Sequence, residues 1–243
     1  MKKNDLSEFE VDLLDNETAA RIIIAEHYLR RKGSQSVAYG LIHKDSRRIM
    51  GVITYGTPLG PALRKGVCGP DEHLNVIELT RLWVHDDMPK NAASMLIGRT
   101  LPLLDKQIVV SYADASQGHV GMVYQATNWL YTGLSAEFLD TVIEGKEHLH
   151  SISITDSGGG RGAGGSRDDR LRTIYGDRVK KVERPRKHRY VTFVGGKRVK
   201  RVLRKKLRYS VEPYPKSSLP SVKTVENTED KYYAKMKFDR WFS

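Results

Sequence analysis

A nearly continuous apolar run at residues 108–113 limits most strongly what this chain can fold into. The run reads Ile-Val-Val-Ser-Tyr-Ala and is followed by Asp114. Its length is that of a strand covered on both faces. Residues 76–84 alternate in the manner of a strand, and residues 91–101 have the composition of a helix. A strand, a helix and a strand in this order predict a mixed central sheet flanked by helices, in one α+β domain.

Segments on either side of this unit supply the other elements of such a domain. Residues 17–31 have apolar side chains at mostly helical spacing, and Gly33 is expected to end this helix. Residues 37–43 and 48–55 are two apolar segments joined by a short polar turn, which predicts a β-hairpin. Residues 121–131 are expected to form a further helix.

The C-terminal part of the chain differs in composition. Residues 157–166 are mostly glycine and have no apolar content to bury, so we expect a flexible loop there. The apolar segment 190–194 and the basic segment 197–203 flank the pair Gly195 and Gly196, which is the signature of a β-hairpin with a two-residue turn.

These features predict one domain and a tail. The domain is expected to span residues 1–215, with the basic hairpin at residues 184–209 as an extension of its sheet. Residues 216–243 are polar and are expected to form a C-terminal tail.

Positive charge is concentrated in one part of the chain. The net charge is +12, yet residues 161–208 alone contain 19 Lys or Arg against 4 Asp or Glu. The remaining residues are therefore slightly acidic. A basic segment on a balanced body is typical of a protein that binds nucleic acid, whereas an evenly basic surface would indicate only solubility.

Several classes of protein are disfavoured. No run of 18 apolar residues is present, as a membrane-spanning helix would require. The N-terminal residues contain no apolar signal core, and Cys68 is the only cysteine, so we expect a protein of the reducing cytoplasm. His85 precedes Asp86 and Asp87, but no second histidine stands at ligand spacing, so no metal site is predicted.

The predicted helix at residues 91–101 begins with Asn91, Ala92, Ala93 and Ser94. A helix start presents unpaired N–H groups and the positive end of the helix dipole, which suits a phosphate or pyrophosphate. Small side chains leave that approach open, and Ser94 offers a hydroxyl donor. A capped helix without a ligand would have the same sequence.

Four residues in the first half of the chain are candidates for chemistry. His27 and Tyr28 adjoin on the predicted first helix, where they would contact a base or transfer a proton, with His27 titrating near neutrality. Glu78 and Arg81 are three residues apart on a strand, so they are expected to face opposite sides. For His27 and Tyr28 the alternative is simple packing against the sheet. For Glu78 and Arg81 the alternative is a structural ion pair.

Two further candidates follow the apolar run. Asp114 stands at the end of a strand, where sheets commonly bind ligands, and its carboxylate can accept a proton or a hydrogen bond there. Tyr124 lies in a predicted helix. The alternatives are a helix cap for Asp114 and a buried aromatic residue for Tyr124.

An ordered series of clusters resembles a known family. The series consists of His27-Tyr28, Tyr55-Gly56-Thr57-Pro58, residues 78–84, Ser111-Tyr112-Ala113-Asp114 and residues 118–131. It is similar to the Mom family of phage DNA-modification proteins, a divergent branch of the GNAT acyltransferases. The resemblance extends over residues 22–215. Asn91 departs from the glycine or alanine that GNAT enzymes usually have in the pyrophosphate turn.

The resemblance implies a fold, a reaction and a site. It implies a GNAT-like sheet, acetyl-CoA as cofactor, and conversion of adenine in DNA to its N6-acetamido (carbamoylmethyl) derivative, which protects phage DNA from restriction in the host cytoplasm. The implied catalytic residues are His27, Tyr28, Glu78, Arg81, Asp114 and Tyr124, with Tyr124 at the position of a general acid. The implied cofactor-binding residues are Leu82, Trp83, Val84, Asn91, Ala92, Ala93 and Ser94.

The basic hairpin is the predicted surface for duplex DNA. On a strand Arg198 and Lys200 would share one face and follow the phosphates, and the target adenine would have to be flipped out of the duplex. The predicted DNA-binding residues are Arg186, Lys187, Arg189, Lys197, Arg198, Lys200, Arg201, Arg204 and Lys205.

Two other functions fit parts of the sequence. A conventional GNAT acetyltransferase acting on a small amine or a protein would explain the predicted core but not the basic segment. A DNA-binding protein without catalytic activity would explain the basic segment but not the candidate site. The oligomeric state, including a homodimer, is left open.

Overall fold

The computed structural model describes residues 5–146 and 166–216, which form two compact units. One unit comprises the chain up to Leu134 and from Lys187 onward, and the other is Ser135–Arg186. The first contains β1 (Phe9–Leu14), α1 (Asn16–Glu26), β2 (Val37–His43), β3 (Ile49–Gly56), α2 (Pro61–Cys68), β4 (Val76–Val84), α3 (Ala92–Thr100), β5 (Ile108–Ala113), α4 (Met122–Ala126), β6 (Leu130–Leu134), β9 (His188–Phe193) and α6 (Lys197–Lys206). The second contains β7 (Leu139–Ile143), α5 (Arg167–Tyr175) and β8 (Val179–Glu183).

The first unit is built on a seven-stranded mixed sheet. Its strand order is β1-β2-β3-β4-β5-β9-β6. The pair β4–β5 is parallel and every other neighbouring pair is antiparallel. The predicted β2–β3 hairpin and the predicted mixed sheet of an α+β fold are thereby confirmed.

Helices cover both faces of this sheet. On one face, Leu96 and Ile97 of α3 and Tyr124 of α4 pack with Trp129 in the largest apolar cluster. On the other face, α1 packs through Ile23, and α2 and α6 pack together over β5 and β9. Among the described residues, no helix is long and apolar enough to cross a membrane.

The predicted C-terminal β-hairpin is wrong in its second half. Tyr190 and its neighbours form β9, but residues 197–203 belong to helix α6. Strand β9 already pairs with β5 on one edge and β6 on the other, so no edge remains for a hairpin partner. The apolar Val199 and Leu203 are four residues apart, which aligns them on one helix face toward the core.

Two predicted helices are shorter than expected. Helix α1 ends at Glu26, because His27 has extended backbone angles and its ring accepts a hydrogen bond from the Leu29 amide. His27 and Tyr28 therefore lie in the turn after the helix and not on it. Helix α4 ends at Ala126, and Asn128 adopts a left-handed conformation (φ 59°) that leads into β6.

The second unit contains a two-stranded antiparallel sheet of β7 and β8. Ile143, Leu171 and Val179 form its small apolar cluster. The predicted glycine-rich loop at 157–166 lies outside the described residues except for Ser166, which caps α5. The predicted tail at 216–243 lies outside them beyond Lys216.

Candidate active site

Strands β4 and β5 separate partway along their length. Their pairing runs from Val76 opposite Ile108 to Leu79 opposite Ser111, and β4 then continues alone on that edge to Val84. At the point of separation, the Ser111 hydroxyl lies 2.9 Å from the Leu79 carbonyl oxygen, to which it donates. The Tyr124 hydroxyl is 2.8 Å from the same Ser111 oxygen. Tyr124 therefore reaches the opening between the two strands.

A bulge at Thr80 changes which face Arg81 occupies. Strand β3 pairs Thr54 with Arg81 but the next residue, Tyr55, with Leu79, so Thr80 is an extra residue in β4. One extra residue inverts the alternation of side chains beyond it. Leu79 and Leu82 accordingly pack in the same apolar cluster, and Glu78 shares its face with Arg81. The expectation that Glu78 and Arg81 face opposite sides is therefore wrong.

Arg81 is fixed by backbone carbonyls. Its Nε donates to the Arg31 carbonyl at 3.0 Å, and a terminal nitrogen donates to the Thr80 carbonyl at 2.6 Å. Burial raises the pKa of Glu78 to about 7, even though Arg81 and Lys187 act to lower it. Glu78 is thus a carboxylate that gains and loses its proton near neutral pH, beside a fixed cation.

His27 and Tyr28 form a stacked aromatic pair. Their ring centroids are 4.4 Å apart, and His119 makes an edge contact with Tyr28 at 5.5 Å. Tyr28 is 45% exposed, whereas His27 beneath it is 7% exposed. Burial, reinforced by Arg81, His119 and Lys187, lowers the pKa of His27 to about 4. His27 is therefore neutral at pH 7, and the expected titration near neutrality is wrong.

Asp114 is held on both carboxylate oxygens. Its Oδ1 accepts from the Ser116 amide at 3.1 Å and from the Ser116 hydroxyl at 2.6 Å, and its Oδ2 is 2.8 Å from Lys187 Nζ. Burial alone would raise the pKa of Asp114, but these bonds outweigh it and hold the pKa below its usual value. Asp114 caps a short turn, and its charge adds to burial in raising the pKa of Tyr28.

The six predicted catalytic residues influence one another electrostatically. Besides burial, Asp114, Arg81 and Tyr124 shift the pKa of Tyr28, and Glu78 shifts that of Tyr124. Burial raises the pKa of Tyr124 to about 12. The geometry brings two carboxylates of opposite pKa shift, a fixed guanidinium, a neutral imidazole and two phenols to the end of the sheet where β4 and β5 separate.

The predicted cofactor-binding residues lie along β4 and at the start of α3. Leu82 and Val84 pack into the core, and Trp83 packs against α1, so these residues offer only backbone groups at the free edge of β4. Helix α3 has no side-chain cap at Asn91. The Ser94 hydroxyl, which was expected to donate to a bound ligand, instead donates to the Asn91 carbonyl oxygen at 3.0 Å.

The predicted DNA-binding residues divide into two groups. Arg186 donates to the Ser135 carbonyl, and Arg189 donates to Thr132 and lies 3.5 Å over the Tyr209 ring. Lys187 contacts Asp114. The others are exposed on helix α6: Lys197, Arg198, Lys200, Arg201, Arg204 and Lys205.

Sequence reasoning assigned no role to three residues of the site. All three belong to the clusters that carry the family resemblance: His119, Ser111 and Tyr112. Their spacing gave no sign that His119 contacts Tyr28, that Ser111 contacts Tyr124, or that burial and then the charge of Glu78 raise the pKa of Tyr112. Within residues 5–146 and 166–216, His, Cys, Asp and Glu form no group of three suited to a metal ion.

Comparisons with known proteins agree with the sequence resemblance. The profile of the Mom protein family matches residues 8–216. The methylcarbamoylase Mom of Escherichia phage Mu is 32% identical over 216 residues, which cover 86% of this chain and 84% of that protein.

Two solved acetyltransferases have limited similarity to the structure. A putative acetyltransferase from Acinetobacter baylyi has 11% identity and a TM-score of 0.40, covering 76% of this chain and 91% of that one. A Bacillus subtilis acetyltransferase in complex with CoA has 12% identity and a TM-score of 0.39, covering 76% and 98%. The assignment rests on the sequence match over most of the chain: the protein belongs to the Mom protein family.

Proposed function

We propose that this protein is a DNA-modifying transferase that uses acetyl-CoA to convert adenine in DNA to its N6-carbamoylmethyl (acetamido) derivative. Membership of the Mom family supports the proposal, as does the name methylcarbamoylase of the phage Mu relative. The observation that carries it is the grouping of Tyr28, Glu78 and Asp114 where β4 and β5 separate, with Tyr124 reaching the same opening.

The chain's own features fit acetyl-CoA. The free edge of β4 at residues 80–84 offers backbone donors and acceptors to an extended ligand such as the pantetheine arm. The start of α3 has Ala92, Ala93 and an uncapped first turn, which suits a pyrophosphate. When bound there, acetyl-CoA would supply the two-carbon unit. Bonding adenine N6 to its methyl carbon removes two electrons and needs a two-electron oxidant, and the amide needs an ammonia-type nitrogen donor whose attack on the thioester releases the CoA thiol, so both co-reactants are part of the proposal.

Helix α6 is the proposed docking surface for duplex DNA. The helix carries seven exposed cations, counting Lys206, and no acidic residue, and buried Leu203 anchors it to the core. Contacts of this kind bind phosphates independently of sequence. The amine of adenine is paired within a duplex, so the target base has to leave the stack to reach the site.

Asp114 and Glu78 have different proposed roles at the base. Asp114, with its lowered pKa, stays ionised and accepts a hydrogen bond from the adenine amine, which orients the ring. Glu78, with a pKa of about 7, accepts the proton that the amine loses as it acquires the new substituent. Two carboxylates with different pKa values can divide binding and proton transfer in this way.

The other three residues hold the reacting groups. His27 is neutral, and its ring stacks against the ring of Tyr28. Arg81 provides a fixed positive charge beside Glu78. The Tyr124 hydroxyl, with a pKa of about 12, stays protonated and can donate a hydrogen bond in the opening between the strands. We propose the host cytoplasm as the place of action, where modified adenine would protect phage DNA from restriction.

Nucleoside analysis of DNA from cells that express the protein tests the proposal. We expect a derivative of deoxyadenosine that carries a carbamoylmethyl group. Asp114→Asn and Glu78→Gln, which retain shape but remove the charge, should abolish it. Asp105→Asn, on a side chain that is 78% exposed, should leave it unchanged. Unmodified deoxyadenosine with an acetylated amine or protein would instead indicate a conventional acetyltransferase, and DNA binding without either product a binding protein.

A further inference from the structure

Lys187 faces into the protein although it belongs to the basic segment. Strand β9 pairs His188 with Ala113 and Arg189 with Tyr112, so the antiparallel register carries Lys187 opposite Asp114. Its Nζ lies 2.8 Å from Asp114 Oδ2. The Asp114 side chain is 9% exposed and that of Lys187 34%, so this contact is better protected from solvent than a pair on the open surface.

The lysine completes the support of the Asp114 carboxylate. Ser116 binds only Oδ1, through its amide and its hydroxyl. A carboxylate held on one oxygen can still turn, whereas bonds to both oxygens fix its plane. Charge-assisted bonds of this length are the strong ones in proteins. Lys187 and Ser116 together thus fix the plane of the Asp114 carboxylate.

The positive charge of Lys187 also acts on other residues of the site. It lowers the pKa of Glu78 and of His27 as well as that of Asp114. The ammonium that contacts Asp114 therefore also acts electrostatically on two further candidate residues. The neighbouring Arg186 and Arg189 contact Ser135 and Thr132, so neither arginine accounts for these effects.

We propose that Lys187 is a positioning residue of the active site, which holds the Asp114 carboxylate toward the modified base, and that it is not a contact to DNA phosphate. The role at the base depends on the proposed function. The contact with Asp114 is independent of it.

The activity test compares K187M with K200M, which removes an exposed cation from α6. At saturating DNA, K187M should lose roughly tenfold or more of base modification, since a charged hydrogen bond is removed, with DNA affinity and its salt dependence close to wild type. K200M should instead weaken DNA binding, and its salt slope should fall by about 1. K187R, which keeps a cation, should recover part of the activity.

A second readout does not depend on activity. The Asp114 carboxyl can be titrated by carbon NMR in aspartate-labelled protein, with Asp114→Asn to assign its signal. The Asp114 pKa should rise in K187M and return toward the wild-type value in K187R. If K187M does not fold, K187Q, which retains a donor without the charge, replaces it in both experiments.

The outcomes separate the two proposals. An unchanged Asp114 titration, or a K187M variant that loses DNA affinity and keeps modification at saturation, overturns the role of Lys187. Wild-type protein that never modifies adenine refutes the proposed function, while the NMR titration still decides whether Lys187 controls Asp114.

Discussion

Glu78 should make the stability of this protein depend on pH in an unusual direction. Its folded-state pKa is raised from 4.5 to about 7, chiefly by burial. Between these values the folded state binds more protons than the unfolded state, so the free energy of unfolding falls as pH rises. At about 1.4 kcal/mol per pKa unit, the loss between pH 4 and pH 8 amounts to about 3 kcal/mol.

Glu78→Gln removes the titrating group and retains its shape. Urea unfolding of the wild type and of this variant at several pH values gives the difference in unfolding free energy at each pH. We expect the variant to gain about 3 kcal/mol relative to the wild type between pH 4 and pH 8. Contributions from other titrating groups largely cancel in this difference.

A control on the same strand isolates the effect of the carboxyl. Ile77→Val removes one methyl group from a buried side chain, at a cost of about 1 kcal/mol, and changes no titratable group. Its difference from the wild type should stay constant with pH. The assignment of Glu78 as a buried base is refuted if the unfolding free energy of Glu78→Gln relative to the wild type stays constant with pH. It is refuted equally if the variant loses stability relative to the wild type as pH rises.

Three further predictions concern the DNA surface and the core. Replacing Lys200, Arg201 and Arg204 with Gln should reduce the slope of log affinity for DNA against log salt by about 3; an unchanged slope in filter-binding assays would exclude α6 as the docking surface. Leu203→Ala should lower the unfolding free energy by about 2–5 kcal/mol, since Leu203 is 3% exposed and anchors α6, and a loss below about 1 kcal/mol in urea unfolding would contradict that anchoring. Gly121→Ala should lower the melting temperature, because Gly121 has φ 77° and an added Cβ would lie 2.4 Å from Tyr190, whereas Gly98→Ala, with no atom near the added Cβ, should not.

Much of the sheet follows from local sequence. The apolar run of β5 has the length of a strand buried on both faces, and the apolar segments of β2 and β3 flank a short polar turn; each forms the expected strand. The start of α3 at Ala92 is likewise marked by small residues. These features depend on neighbours along the chain, so one sequence is enough to predict them.

Helix α6 shows where local pattern is not sufficient. The Gly-Gly pair before residues 197–203 favours a hairpin, yet these residues form a helix, with Val199 and Leu203 toward the core. The deciding fact is that β9 has neighbours on both edges, and β6, which occupies the second edge, lies far away in the sequence. The turn signal of the Gly-Gly pair was therefore misleading, whereas the four-residue spacing of Val199 and Leu203 already favours a helix.

The site depends on similarly non-local features. The bulge at Thr80, which brings Arg81 to the face of Glu78, exists only in the pairing of β4 with β3. The contact of Lys187 with Asp114 depends on the register between β9 and β5. Sequence resemblance identified Glu78, Arg81 and Asp114 as candidates, but their common face and their charge partners are properties of the folded sheet.

Tracing labelled acetyl carbon into DNA tests the central claim most directly. Cells expressing the protein would be grown with carbon-13-labelled acetate, and their DNA digested and analysed by mass spectrometry. The account predicts a carbamoylmethyl derivative of deoxyadenosine that carries the label in that group, and its absence in cells expressing Asp114→Asn. Unmodified deoxyadenosine in cells with folded wild-type protein, or a modified base without label, would contradict it.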